Sequence, residues 1–266
     1  MIRFEHVHYS IGGRKILEDV SFEVEKGTTK IILGPSGIGK STVLRLILGL
    51  FRPEKGDILI EGESVVKANH DQLNKIRQQI GMVFQDGALF DSLTVGENIG
   101  YWLFENSRAT RDEVEAVARE KLGLVGLEPD LVDSMPDELS IGMQRRVAIA
   151  RALASGTPKI ILYDEPTTGL DPNSLEMVTD VILRLRDDLG MTSIVVTHQL
   201  PDALKVGTDY LFLYDRTVHF EGKARDLALS DDPGLAHFLD PFKKSLVGAV
   251  ENFGLVHTGP ERTPPR

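Results

Sequence analysis

Gly34-Pro35-Ser36-Gly37-Ile38-Gly39-Lys40-Ser41 is the stretch whose reading decides the fold. It fits the phosphate-binding loop pattern G-x-x-x-x-G-K-[ST]. Before it, Lys30-Ile31-Ile32-Leu33 reads as a buried strand; after it, Thr42-Val43-Leu44-Arg45-Leu46-Ile47-Leu48 reads as a helix. Phosphate binding needs that order. Glycines let the backbone wrap an anion closely, and a helix start presents unpaired N–H groups to it. Lys40 then reaches the outer phosphates, and the Ser41 hydroxyl is placed to ligate Mg²⁺. A Gly-rich turn that matches by chance would not bring strand, loop and helix into register.

Outward from the loop, strand-like runs end in polar residues. Ile80-Gly81-Met82-Val83-Phe84 leads to Gln85, whose amide either bonds a solvated edge or touches a metal or water. Ile160-Ile161-Leu162-Tyr163 leads to Asp164-Glu165. Paired carboxylates repel, so a strand ending in two of them points to a cation or proton between them. Asp164 is placed to hold Mg²⁺, and Glu165 to orient or deprotonate a water. Ser193-Ile194-Val195-Val196-Thr197 ends at His198. A lone His is usually packing, but ligands gather at the carboxyl ends of parallel strands.

Other stretches supply the periphery. Residues 2–9 alternate like an antiparallel strand with Tyr9 at its end, and 17–24 read as a second strand. Residues 86–158 look like a mostly helical insert. Within it, Thr110-Arg111-Asp112-Glu113 is a capping box, and Ile99, Tyr101, Trp102, Leu103 and Phe104 form a dense apolar run, either core or an exposed sticky face. Ser140 reads as the N-cap of a helix running through Val147 and Leu153, a second potential anion site. From these residues without their context, the capped helix and nothing more is the stronger reading.

Composition narrows the class. The chain has 266 residues, no cysteine and a net charge of −10. Thiolate catalysis, disulfides and Cys-based zinc sites are excluded. The negative field disfavours nucleic acid as a partner. The start is not a signal peptide, and no apolar run reaches the roughly 20 residues that cross a bilayer, so any membrane role is expected to go through a partner.

Together these motifs resemble the nucleotide-binding subunit of ATP-binding-cassette transporters. The resemblance covers roughly residues 1–235. It rests on the loop at 34–41, Gln85, the signature stretch Leu139-Ser140-Ile141-Gly142-Met143, Asp164-Glu165, Leu170-Asp171 and His198, in family order. It implies an α/β fold: a P-loop NTPase core with a small antiparallel β-subdomain and a helical subdomain inserted at about 86–158. It implies ATP and Mg²⁺ as ligands, with Gly34 to Ser41 and Thr42 around the phosphates, Ser41, Gln85 and Asp164 toward the metal, and Tyr9 stacked on adenine. Lys40, Glu165 and His198 carry catalysis, His198 through the γ-phosphate. Ser140 and Gly142 close on ATP bound by a second copy. The partners implied are that second copy and an integral membrane permease, which holds the chain on the cytoplasmic face of the inner membrane.

The family usually has Leu-Ser-Gly-Gly-Gln at the signature. Here Ile141 replaces the first Gly, and a β-branched residue is expected to crowd the phosphate and resist positive φ. Within the family the wording is most similar to Mla/Mce-type lipid transporters, through Gly81 to Val95, Met143 with Arg145-Arg146-Val147, and Tyr163 to Pro172. That resemblance adds an Mce-domain substrate-binding protein as a partner. Amino-acid importer cassettes share much of this wording. Cassette proteins of DNA repair or translation are the rival class; no long coiled coil separates loop from signature, and the chain holds one cassette. A binding module without turnover is a third class, opposed by Glu165. Residues 236–266 read as an extension: Phe238, Leu239, Phe242, Leu246 and Val247 share one side of a broken helix, docked on its own subunit or across to a second copy, and 258–266 read as disordered.

Overall fold

A computed structural model describes residues 2–242. The chain opens with the hairpin β1 (Ile2–Ile11) and β2 (Arg14–Val24), then runs through β3 (Thr29–Leu33), α1 (Lys40–Ile47), β4 (Lys55–Ile60), β5 (Glu63–Ser64), α2 (His70–Arg77) and β6 (Ile80–Val83). Three helices follow: α3 (Val95–Asn106), α4 (Arg111–Leu124) and α5 (Ile141–Ala154). The rest alternates: β7 (Ile160–Asp164), α6 (Pro172–Asp187), β8 (Thr192–Thr197), α7 (Leu200–Val206), β9 (Asp209–Tyr214), β10 (Thr217–Gly222), α8 (Ala224–Ala228) and α9 (Pro233–Leu239).

Two sheets result. The antiparallel one has the order β2-β1-β4-β5, and the larger has β10-β9-β3-β8-β7-β6. All pairs of the larger sheet are parallel except β9 with β10. Every residue of β3, β7 and β8 is buried, because a parallel sheet is covered on both faces and its strands are continuously apolar rather than alternating. Alternation then assigns each side chain to a core. Ile31 and Leu33 pack with the helical insert, whereas Ile32 packs with α1 and the antiparallel sheet. Fully burying one such side chain contributes about 1.5–3 kcal/mol.

The insert is mostly helical, as its pattern predicts. Thr94 and Thr110 each close a capping box, and Ser140 accepts from Met143 N. The apolar run at 99–104 divides between the two readings: Ile99 is fully buried, while Tyr101 and Phe104 are exposed. The part of the expectation for Ile141 that concerns the backbone is corrected. It is the first residue of α5 and keeps a helical backbone, so no positive φ is demanded of it; its side chain is 60% exposed.

Residue 235, where the resemblance ends, falls inside α9. Phe238 packs on Phe212 of β9 at a 5.1 Å centroid distance, and a 3₁₀ turn at Asp240–Phe242 breaks the helix. Leu246, Val247 and 258–266 lie outside the described residues.

Candidate nucleotide site

The parallel sheet decides where the site lies. Leu33 pairs with Thr197, Asp164 with Val196, and Val83 with Tyr163. The ends of β3, β8, β7 and β6 therefore share one edge, and each is followed by a residue singled out from the sequence: the loop, His198, Glu165 and Gln85.

Loop and helix meet at Gly39, the N-cap of α1, in the left-handed region at φ 113°. A Cβ there would stand 3.0 Å from Ile16 Cγ2 and 3.3 Å from Leu17 Cδ2. The β1–β2 hairpin is thus seated against the loop, and a side chain at Gly39 would lift it away. Lys40 is buried, with Nζ donating to Gly34 O at 2.8 Å and Pro35 O at 3.1 Å. Its ammonium therefore lies across the mouth of the loop. Burial pushes it below the usual lysine range, against the pull of Glu165 and Asp164.

Ser41 Oγ donates to Asp164 Oδ1 at 2.9 Å. Burial raises the Asp164 carboxyl above its ordinary value, and the Ser41 bond only partly offsets this. Glu165 sits in the left-handed region, φ 49°, an uncommon conformation for a non-glycine residue. Strain of this kind concentrates at functional sites. Its carboxylate is held from three sides. Thr168 Oγ1 and Thr197 Oγ1 donate to Oε2 at 3.0 and 3.2 Å, and His198 Nδ1 stands 2.9 Å from Oε1. Lys40 Nζ is 3.8 Å from the same Oε1. A carboxylate so held has one orientation.

Two threonines in this cradle, Thr168 and Thr197, were not picked out from the sequence. The only signal was a hydroxyl next to a motif residue. Asn98 also carried none. It is fully buried, accepts from Phe90 N and donates to the carbonyls of Phe90, Leu93 and Thr94, so it ties down the segment after Gln85. Gln85 is exposed, and its neighbours are anchored from α5: Arg145 donates to Phe84 O at 2.9 Å, and Arg151 to Gly87 O and Ala88 O at 2.7 and 2.6 Å.

Other expected residues stand apart from this cluster. Ser140 and Gly142 begin α5, and among the described residues no hydrogen bond joins them to 34–41. A Cβ on Gly142 would overlap Ser174 Oγ and stand 2.5 Å from Ser174 Cβ, so the glycine lets α5 meet α6. The ring of Tyr9 stacks on Phe51, with centroids 5.3 Å apart at 12°, and Arg45 lies over the same Phe51.

Residues 17–168 match the model of the ABC transporter family. Over 239 residues the chain is 36% identical to the intermembrane phospholipid transport system ATP-binding protein MlaF of Haemophilus influenzae, covering 90% of each. It is also 36% identical over 242 residues to a probable ribonucleotide transport ATP-binding protein, mkl, of Mycobacterium leprae, covering 91% of this chain and 69% of that one. A solved dimeric ATP-binding cassette in a post-hydrolysis state, bound to ADP and Pi, superposes with a TM-score of 0.75 at 36% identity, over 84% of this chain and 98% of that one. Likeness of this extent, carried by motifs that the fold gathers at one sheet edge, makes the chain a member of the ABC transporter family and one of its ATP-hydrolysing subunits.

Proposed function

We propose that the chain powers a phospholipid-transporting ABC system, with Glu165 as the general base of hydrolysis. The observation that carries the chemical part is the Glu165 cradle. Its two oxygens are oriented by Thr168, Thr197 and His198 beside Lys40, at the strand edge that presents the loop. A base acts only when it is within reach of the proton and correctly aimed. Lys40 and the N–H groups of Ser36 to Thr42 hold the outer phosphates. His198 fixes Glu165 and meets the γ-phosphate.

The donor set fits Mg²⁺. Ser41 and Asp164 offer a hydroxyl and a carboxylate already in contact, with Gln85 at the next strand end. Among the described residues no group of three or more His, Cys, Asp or Glu could hold a metal by itself. A site this sparse, built of hard oxygens and completed by phosphate and water, is the kind Mg²⁺ occupies. Bound there, the ion neutralises charge on the phosphates.

Two copies close with Ser140 and Gly142 of each facing the other's nucleotide; the dimeric cassette of similar fold supports this. A permease holds them at the cytoplasmic face of the membrane, with an Mce-domain protein as a further partner. No described helix is long and apolar enough to cross a membrane. Phospholipid cargo rests on the MlaF similarity, which extends over 90% of that relative. Ribonucleotide cargo is the second reading, supported by the mycobacterial relative.

Glu165→Gln tests the chemistry. The expected result is a fall in kcat of about 10²-fold or more with ATP affinity kept, because an amide does not accept the proton of water. Wild-type turnover would remove Glu165 as the base. For the cargo, the chain assembled with its permease in liposomes is expected to be stimulated by phospholipid and not by ribonucleotides; the reverse result would favour the second reading.

A further inference from the structure

Asp202 follows His198 by four residues and is the third residue of α7. Alone it reads as an acidic residue in the first turn of a short helix, where the helix dipole favours it. The fold gives it another neighbour. Thr167 is buried, and its Oγ1 donates to Asp202 Oδ2 at 3.0 Å across 35 positions of chain. The bond joins the turn that follows β7 to the helix that follows β8. It borders a cavity of about 10 Å³, room for one water at most, with Ile182, Val195, Ala203 and Val206 in its lining. Burial raises the Asp202 carboxyl above its ordinary value, against the opposing pull of Thr167 and Lys205. A hydrogen bond in such surroundings has little competition from solvent.

The turn after β7 carries the base. Glu165 opens it at φ 49°, and Thr168, next to Thr167, donates to Glu165 Oε2. Its start is firm, with Glu165 N donating to Val196 O at 2.9 Å. Its later backbone bonds are long: Thr168 N to Glu165 O and Leu170 N to Thr167 O are both 3.3 Å. Asp202, by contrast, stands on a fixed support. Leu200, Ala203 and Val206 of α7 are buried, Arg186 donates to Val206 O at 2.7 Å, and Tyr210 Oη donates to Ala203 O at 3.3 Å. Two of the groups about Glu165, namely Lys40 and His198, also serve the phosphates in the function proposed above. Thr168 and Thr197 then hold the carboxylate when nucleotide is bound, and Thr168 is held no better than its turn.

We propose that Asp202 is a positioning residue for hydrolysis: through Thr167 it fixes the Thr168 turn against α7, and so keeps Glu165 aimed while Lys40 and His198 engage the nucleotide. It acts through Thr167, Thr168 and Glu165. This reading rests on Glu165 as the base and extends it. A misplacement of about 1 Å in a catalytic group costs up to about 10²-fold in rate. The loss falls on kcat and spares KM, because Lys40 and the loop bind the phosphates from another strand.

The test uses the full 266-residue chain assembled with its permease, with turnover followed by phosphate release. Thr167→Val removes the donor and keeps the shape; Asp202→Ala removes the acceptor. Each is expected to lower kcat about five- to thirtyfold, to leave KM for ATP within about twofold and to lower the melting temperature by less than about 4 °C. The double variant is expected to match the single ones, since all three lack the same bond. Thr167→Ser and Asp202→Asn keep donor and acceptor and are expected to return kcat to within about threefold of the parent. In a Glu165→Gln chain, where no base remains to be aimed, adding Thr167→Val is expected to leave the residual single-turnover rate within about twofold. Parent kcat in Thr167→Val and Asp202→Ala would overturn the proposal. So would a joint loss of kcat, KM and melting temperature that Asp202→Asn does not rescue, which would reduce the bond to a fold contact. A further large fall in the Glu165→Gln chain would show that the bond acts through another group. Parent turnover in Glu165→Gln itself would instead defeat the general-base reading, and the positioning role with it.

Discussion

Asp164 and Lys40 are buried ionisable residues that the folded chain holds at a cost. Burial raises the Asp164 carboxyl and lowers the Lys40 ammonium, so each is pushed toward its neutral form. For Asp164 the folded-state value lies above the unfolded one. The folded state therefore binds that proton more tightly, and the ionised carboxylate costs stability at neutral pH. The cost disappears as pH falls through the raised value into the ordinary aspartate range. Asp164→Asn keeps an acceptor for Ser41 and removes the charge. The nucleotide-free variant is expected to melt about 1–4 °C higher near pH 7.5. That gain shrinks toward zero on acidification, while Mg²⁺-dependent ATP binding is lost. Melting curves across pH check this; a variant that melts below the parent at neutral pH would show that Asp164 is net stabilising.

Elements meet through single residues. The start of α5 approaches α6 only because Gly142 has no side chain facing Ser174. Asp171 caps α6 by accepting from Asn173 N and Ser174 N, which fixes Ser174 in place. Gly142→Ala is therefore expected to destabilise the chain by about 1–3 kcal/mol through overpacking. Gly142→Ala with Ser174→Gly removes the overlapping atoms and is expected to recover more than half of that loss. Urea unfolding measures both, and a double variant no better than the single one would place the strain elsewhere. On its other side α5 grips the segment after β6 through Arg145 and Arg151, whose burial lowers both guanidinium values. The Gln85 segment and the Ser140 helix start are thus tied to one element, so a displacement of either bears on the other.

At the scale of the whole molecule, the proposed function assigns two faces to partners. One is the pairing of copies. Glu165→Gln is expected to form an ATP–Mg²⁺-dependent dimer, alone or with its permease, because phosphate loop and Ser140 occupy separate elements without a bond between them in one chain. An assembled complex with Ser140 remote from both nucleotides in every state would contradict it. The other is a cavity of about 490 Å³ on the helical insert, lined by Tyr101 and Phe104 with Glu97, Glu105, Glu115 and Asp133 at its margins. Phe90, 43% exposed, packs against Tyr101 at 4.8 Å and is presented by the Asn98 bonds. An exposed apolar patch of this kind marks a docking face. Phe90→Asp is expected to abolish co-purification with the permease while shifting the melting temperature by less than about 2 °C. Retained co-purification would count against docking there. Leu89, beside it in the chain, is half-buried against the main core, so a charge there would damage the fold itself.

Short-range patterns carried the reading from sequence. The loop, the Thr110 and Ser140 caps, the buried strands and the carboxylate pair depend on neighbours within a turn or a strand, and such neighbours are visible in the order of residues. Family order then supplied the α/β fold and the ATPase reading. The tertiary structure alone decided what each side chain faces. Glu165 takes one of its hydroxyl donors from Thr197 on another strand, and Tyr9 lies against Phe51 from beyond α1. Gly142 is required by Ser174 on a different helix, while Ile141 beside it is free. These pairings join groups far apart in the chain. They arise only when the parallel strands close in the order β9-β3-β8-β7-β6, because burial and contact distance, not sequence spacing, set the free energy of a side chain in its surroundings.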